Sequence, residues 1–103
     1  MTEKELESAL CRLLRELGLF GFHAYDSRRS APGWPDWVIV GSRLLFRELK
    51  SDAGDLTRDQ RRVRNLLVTA GADWAVWTPR DLRSGRIARE LTAITRSDDR
   101  GNG

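Results

Sequence analysis

The sequence predicts a small α/β domain in which helices flank a mixed sheet of about four strands. Three observations support this class. Apolar residues recur at helical spacing in separate segments, short β-branched and aromatic runs alternate with those segments, and polar loop residues divide them. The predicted order is α-β-β-β-α-β-α. A chain of 103 residues is expected to bury one core, so residues 1–96 are predicted to form a single domain and 97–103 a disordered tail.

The first helix is predicted over residues 3–17. Thr2 and Glu5 fit a capping box at its start, and Gly18 fits its end. Glu7 falls beside the apolar stripe and is expected to face inward. Five leucines make up that stripe: Leu6, Leu10, Leu13, Leu14 and Leu17.

A first strand is predicted over residues 20–26, where apolar residues alternate loosely. His23 is expected there as a half-exposed strand residue rather than as a metal ligand. Two prolines and a glycine then predict a loop over 27–35.

The next two strands, 37–40 and 43–49, are predicted to form a β-hairpin. Apolar residues occupy both of its faces, so we expect helices to cover the sheet on both sides. One face carries Trp37, Ile39, Leu45 and Leu49, and the other carries Val38, Val40, Leu44 and Phe46.

Cap and turn residues also delimit the remaining elements. A second helix is predicted from Thr57 to about Ala70, and strand 73–77 follows it until a proline stops the strand. A last helix is predicted over 86–96, with an apolar side made by Ile87, Leu91 and Ile94.

Composition excludes several classes of protein. No apolar run reaches the roughly 18 residues of a membrane span, so no membrane partner and a cytoplasmic location are expected. One cysteine and one histidine make a disulfide impossible within the chain and structural zinc improbable. All but two of the 18 basic residues are arginines. This excess suits a polyanionic partner, although a coding bias toward arginine would also produce it.

Three charged residues interrupt the apolar hairpin: Asp36, Glu48 and Lys50. A two-residue turn would pair Asp36 with Arg47 and form a salt bridge. A three-residue turn over 41–43 would instead place Asp36 opposite Glu48. Two neighbouring carboxylates repel each other when buried, and a divalent cation, Mg²⁺ or Mn²⁺, relieves that repulsion. The plainer interpretation is a loop-capping Asp36 beside a Glu48–Lys50 ion pair.

These residues resemble the signature of the PD-(D/E)xK nuclease superfamily, with Pro35-Asp36 followed by Glu48-Leu49-Lys50. A longer ordered set resembles the VRR-NUC family over residues 3–78. That set consists of Glu7, Gly33-Trp34-Pro35-Asp36, Phe46-Arg47-Glu48-Leu49-Lys50, Gln60 and Gly71. The resemblance implies a restriction-endonuclease-like core, and a cytoplasmic location in a bacterial or phage-infected cell.

The resemblance also implies roles for individual residues. Asp36, Glu48 and the main-chain carbonyl of Leu49 would hold the metal, and Glu7 would ligate it directly or through water. Lys50 would orient and deprotonate the attacking water and stabilise charge at the phosphate, because desolvation can lower the pKa of a lysine, which an arginine cannot copy. Gln60 would join the active site, but it also fits a capping box with the threonine at position 57.

The function implied is a metal-dependent DNA endonuclease that hydrolyses phosphodiester bonds. Branched, flap or four-way junction DNA is the expected substrate, as for junction-resolving enzymes, and cutting both strands would require two active sites and so a homodimer. The alternatives are a non-catalytic nucleic-acid-binding module and a purely structural protein. Candidate phosphate contacts are Arg28, Arg29, Arg58, Arg61 and Arg62.

Overall fold

A computed structural model describes residues 1–24 and 31–95 of the chain. Over those residues the protein is a small α/β domain with a four-stranded mixed sheet and four helices, which confirms the predicted class. The elements are α1 Glu3–Leu17, β1 Phe20–His23, β2 Trp37–Val40, β3 Leu44–Leu49, α2 Arg58–Thr69, β4 Asp73–Trp77, α3 Pro79–Arg83 and α4 Arg86–Ile94. Residues 25 and 26 of the predicted first strand, residues 27–30 of the loop and the 96–103 segment lie outside the described residues.

The first helix has the predicted bounds because its ends are marked locally. Thr2 and Glu5 form a reciprocal capping box, and Gly18 takes a left-handed conformation with φ of 68°. One helix, α3, was not predicted. Pro79 stops β4 as expected, but it also occupies the first turn of α3, where its missing N–H costs nothing.

The sheet has the strand order β1-β2-β3-β4. Strands β1, β2 and β3 are antiparallel neighbours, whereas β4 runs parallel to β3 after the crossover through α2. Trp37 pairs with Arg47 and Val40 with Leu44, so the turn between β2 and β3 contains three residues. This is the second of the two registers that the sequence allows.

The core lies on one face of the sheet, beneath α1 and α4. It is fully apolar except at its edge, and its members alternate along the strands as the period of two requires. The buried cluster consists of Leu6, Leu10, Leu14, Trp37, Ile39, Leu45, Leu49, Trp77, Ile87, Leu91 and Ile94.

An ion-pair network around the buried Arg47 borders this core. Arg47 is only 2% exposed, and its Nη2 lies 3.0 Å from both Asp73 Oδ1 and Glu90 Oε1. Trp77 donates its indole N–H to the same Glu90 oxygen at 2.8 Å, and the Arg47 guanidinium lies 5.1 Å from the Trp77 ring centroid. Arg86 pairs with the other Glu90 oxygen at 2.8 Å. The buried Arg47 charge is therefore neutralised and hydrogen-bonded, as burial demands.

The prediction that helices cover both faces of the sheet is correct only in part for the second face. Among the described elements only α2 packs on that side, chiefly against β4. A helix is about 10 Å wide and strands are about 4.8 Å apart, so one helix covers about two strands. Apolar side chains of β1, β2 and β3 consequently remain exposed: Phe20, Phe22, Val40 and Leu44. Within residues 1–24 and 31–95, no helix is long and apolar enough to cross a membrane.

Candidate active site

Asp36 and Glu48 lie side by side where β2 begins and β3 ends. The Asp36 N–H donates to Glu48 Oε1 at 3.3 Å, and the Leu49 N–H donates to Asp36 Oδ2 at 2.9 Å. Both contacts follow from the three-residue turn, which sets position 36 opposite position 48. The alternative pairing of Asp36 with Arg47 is therefore wrong, because Trp37 takes that place.

The loop before Asp36 is fixed against the start of α2. Gly33 has φ of 90°, and a Cβ built on it would lie 2.3 Å from the backbone oxygen of Asp59. Only glycine allows that backbone conformation and that close approach together. Pro35 is buried, and Trp34 packs edge-on against Phe46 with ring centroids 5.9 Å apart. These contacts hold the chain that delivers Asp36 to the sheet.

Burial dominates the electrostatics of Glu48, which is 3% exposed. Desolvation first, and then the neighbouring Asp36 carboxylate, raise the pKa of Glu48 from 4.5 to about 8, although the Lys50 charge opposes this shift. Near neutral pH the carboxyl of Glu48 thus holds a proton that an exposed glutamate would have lost. Two neighbouring acidic groups resist ionising together because their charges repel each other, and a divalent cation relieves that repulsion.

Gln60 makes both contacts that the sequence left as alternatives. Its Nε2 donates to Glu48 Oε2 at 2.8 Å, while its Oε1 accepts the Thr57 N–H at 2.9 Å. The capping box at the start of α2 is complete, since Thr57 Oγ1 also accepts the Gln60 N–H. The cap therefore fixes the amide in the orientation that lets it donate to Glu48.

Lys50 follows β3 on the same side of the strand as Glu48. Its Nζ lies 4.0 Å from Glu48 Oε2, and its side chain is 16% exposed. The Lys50 N–H donates to the Trp77 carbonyl at 3.0 Å, which continues the pairing of β3 with β4. The ammonium group is therefore held at the border between the carboxyl pair and solvent.

Glu7 lies on the other side of Asp36, in a cavity of about 350 Å³. Its Oε2 is 3.5 Å from Nδ1 of His23, whose ring stacks on Trp37 with centroids 4.7 Å apart and planes 4° apart. The side chain of His23 is 15% exposed, more buried than expected. Pairing across from Trp37 places His23 on the core side of β1, and a period-two count combined with the strand pairing would have revealed this. The cavity is lined by Glu3, Lys4, Glu7, His23, Asp36 and Leu49.

The structure thus brings Asp36, Glu48, Lys50 and Gln60 together and places Glu7 in a cavity that Asp36 shares. It does not gather three ligands tightly. Among the described residues, no group of three or more His, Cys, Asp or Glu side chains is close enough to hold a metal ion as positioned. The donor chemistry fits a hard cation, because the carboxylates of Asp36 and Glu48 and the main chain offer oxygen.

The candidate phosphate contacts separate into two groups. Arg58, Arg61 and Arg62 lie together on the exposed side of α2 and line an open groove with Asp59 and Asn65. Arg61 also donates to the Leu56 carbonyl at 2.6 Å. The other two candidates, Arg28 and Arg29, lie outside the described residues.

Comparisons with family models, curated proteins and solved structures find no match to this chain.

Proposed function

We propose that this protein is a metal-dependent DNA endonuclease with a restriction-endonuclease-like core of the VRR-NUC type. The observation that carries the proposal is the pairing of the half-buried Asp36 with the buried Glu48, with Lys50 Nζ 4.0 Å from Glu48. Two adjacent carboxyl groups, one of them with its pKa raised to about 8, are costly to keep in a fold. A bound divalent cation would neutralise such a pair, and a neighbouring lysine suits the hydrolysis of a phosphodiester.

The proposed reaction assigns separate tasks to the side chains. Asp36, Glu48 and the Leu49 carbonyl would hold Mg²⁺ or Mn²⁺, and Glu7 would join them from α1. The cation, when bound, supplies Lewis acidity and lowers the pKa of water. Lys50, as the neutral amine, would orient the attacking water and take its proton, and the ammonium group so formed would balance charge on the phosphate.

The supporting contacts keep the two carboxyl groups in place. The Leu49 N–H orients Asp36, and the Gln60 amide orients Glu48. Both donors belong to the backbone or to a capped helix, so neither needs to rearrange when substrate arrives. The groove on α2 offers three arginines for the phosphates that flank the scissile bond. Branched, flap or four-way junction DNA is the substrate class proposed.

A plasmid-nicking assay with Mg²⁺ or Mn²⁺ tests the function. Asp36→Asn and Lys50→Met should each abolish nicking. Lys50→Arg should also be inactive, because a guanidinium does not accept a proton at neutral pH. Glu16→Gln, on the exposed side of α1, is the matched control and should nick as the wild type does. Nicking that survives Asp36→Asn or Lys50→Met would refute the assignment. A parallel series of single-stranded, duplex, flap and four-way DNA would identify the substrate.

One observation favours a second function, a non-catalytic nucleic-acid-binding module. The described residues contain no group of three side chains placed to hold a metal ion, whereas three arginines already line the groove on α2. That function predicts salt-sensitive DNA binding with no dependence on Mg²⁺ and no cleavage. The nicking assay together with a binding titration at several salt concentrations separates the two.

A further inference from the structure

The open part of the sheet lies on the same face as the acid pair of Asp36 and Glu48. Phe46 and Glu48 are two residues apart on β3 and therefore point to one face. Strand pairing continues the row of Phe46 across Val38 on β2 to Phe22 on β1. The row that ends at Phe22 is thus the next one along the sheet from the acid pair.

Aromatic rings make up much of this open face. Phe22 is 56% exposed, and Phe20, two residues away on the same face of β1, is 65% exposed. The half-buried Trp34 and Phe46 pack edge-on with ring centroids 5.9 Å apart and continue the surface toward Glu48. Neighbouring exposed apolar side chains mark interaction sites more often than isolated ones do. We call Phe20, Phe22, Trp34 and Phe46 the aromatic face.

The exposed rings lie a few nucleotides away from the acid pair. The Ala24 N–H donates to the Asp36 carbonyl at 2.8 Å, so the pairing of β1 with β2 continues as far as Asp36. Strands are about 4.8 Å apart and two residues span about 6.8 Å, so the backbone of Phe22 lies about 8 Å and that of Phe20 about 14 Å from Asp36. At about 3.4 Å per nucleotide, these distances correspond to about two and about four nucleotides.

The chemistry of the aromatic face suits unpaired bases rather than duplex DNA. In a duplex the flat sides of the bases are stacked on one another, so only an unpaired strand offers them to a protein ring. Negative charge beside such rings would repel the phosphates of the strand. Segments 19–24 and 31–44, which contain β1 and β2, carry one acidic residue, Asp36 itself.

The acid pair lies between the aromatic face and the arginine groove on α2. Across the sheet the order is β1, then Asp36 at the start of β2, then Glu48 on β3, which accepts a hydrogen bond from Gln60 of α2. Arg61 and Arg62 follow Gln60 directly and line the groove. One DNA strand can therefore have phosphates on the groove and bases on the aromatic face while its backbone crosses the acid pair.

We propose that the aromatic face binds the unpaired strand of a branched DNA substrate, with bases stacked on Phe20 and Phe22. The placement of that strand across the acid pair rests on the proposed nuclease function, whereas the stacking itself needs neither metal nor cleavage. The proposal narrows the substrate class to DNA with a single-stranded arm, such as a flap, because a fully paired four-way junction offers no free base.

Fluorescence anisotropy in EDTA, with a labelled single strand and the duplex of the same sequence, tests the stacking. Phe22→Ala should raise the Kd for the single strand about tenfold, the loss of roughly one base–aromatic stack, and the Kd for the duplex less. Phe22→Trp keeps a ring and should bind the single strand as tightly as the wild type. Phe22→Leu keeps apolar bulk without a ring and should bind as weakly as Phe22→Ala.

Val68→Ala is the matched control, because Val68 is 53% exposed but lies on α2, outside the aromatic face. It should bind the single strand as the wild type does. Wild-type affinity in Phe22→Leu, equal losses for single strand and duplex, or a wild type that does not bind the single strand would each overturn the proposal. So would a sedimenting mass that halves on Phe22→Ala, since a second copy would then cover the rings.

A strand with abasic sites tests the same contact on the wild-type protein, so the result does not depend on the folding of any variant. Abasic sites keep the phosphates but remove the bases, and they should raise the Kd about tenfold or more. An unchanged Kd would mean that the bases are not bound and would overturn the proposal.

Cleavage in Mg²⁺ separates this proposal from the nuclease proposal. Phe20→Ala combined with Phe22→Ala should slow the cutting of a flap more than the nicking of plasmid. If no form of the protein nicks DNA while the ring variants still weaken single-strand binding, the nuclease proposal fails and the aromatic face stands. If DNA is nicked but single-strand binding ignores the substitutions, the aromatic face fails and the nuclease proposal stands.

Discussion

Glu48 should make the stability of the protein fall as the pH rises, which is the reverse of what most carboxyl groups do. In the unfolded chain Glu48 ionises near its ordinary pKa of 4.5, but in the folded protein its pKa is raised to about 8 by burial and by Asp36. Between those values the folded state holds a proton that the unfolded state has released. The free energy of unfolding therefore falls through this window and levels off above it.

The size of the effect follows from the two pKa values. At about 1.4 kcal/mol per pKa unit, the difference between 4.5 and about 8 corresponds to a loss of about 5 kcal/mol through Glu48. A domain of this size has a total stability of about 5–15 kcal/mol, so the loss is a large fraction of it. Glu90 acts in another window. Burial alone would raise the pKa of Glu90, but hydrogen bonds from Arg86 and Trp77 lower it overall. The stability that Glu90 contributes is therefore lost only as the pH falls below the ordinary pKa of a glutamate.

The pH dependence of the free energy of unfolding can be measured by urea denaturation at a series of pH values, with tryptophan fluorescence as the signal. The wild type should lose several kcal/mol between about pH 5 and about pH 9, in buffer without divalent cations. Glu48→Gln removes the titrating group and should flatten the profile, so that the variant becomes the more stable protein at the alkaline end. Glu16→Gln, on the exposed side of α1, should follow the wild type. Parallel profiles for the wild type and Glu48→Gln across this range would refute the reasoning.

Three further predictions concern packing, charge and metal. Gly33→Ala should destabilise the fold by more than about 2 kcal/mol in urea denaturation, because its Cβ would overlap the Asp59 backbone. Gly71 has the same φ of 90° but open space around it, so Gly71→Ala should cost only about 1 kcal/mol. Equal losses for the two variants would contradict this. Arg47→Met should cost about 2–3 kcal/mol, because Asp73 and Glu90 lose charge-assisted hydrogen bonds from a buried guanidinium. The exposed Arg83→Met should cost under about 1 kcal/mol, and equal losses in calorimetry would contradict this. Mg²⁺ at about a hundred times its Kd should stabilise the folded protein by about 2.7 kcal/mol, and an unchanged melting temperature at all Mg²⁺ concentrations would count against metal binding.

Local signals were enough to predict most of the elements. The bounds of α1 follow from a leucine stripe between a capping box and a glycine, all of which lie within the segment. The extra helix α3 was missed because Pro79 is equally suited to stopping a strand and to starting a helix. The difference is decided by Thr78 and Asp81, which form a further capping box around that turn.

The site depended on information that the sequence holds only in part. Period-two counting places Glu48 and Lys50 on one side of β3, but whether Asp36 joins them depends on one residue of turn length, and glycine-serine-arginine fits either turn. The cavity around Glu7 and His23 arises from tertiary packing between α1 and β1, which no local pattern encodes. The exposed second face escaped prediction for a similar reason, because apolar periodicity does not reveal how much sheet a neighbouring helix can cover.

The three-residue turn over 41–43 has a consequence for how this protein can change. Surface loops usually accept insertions with little harm, yet one residue added here would slide β3 by one position against β2 if the turn keeps three residues. Arg47 would then take the place of Glu48 beside Asp36, and Glu48 would move to the core side of the sheet. An insertion that looks silent on the surface would exchange the acid pair for a salt bridge, so the register that this turn sets is under the same constraint as the acidic residues themselves.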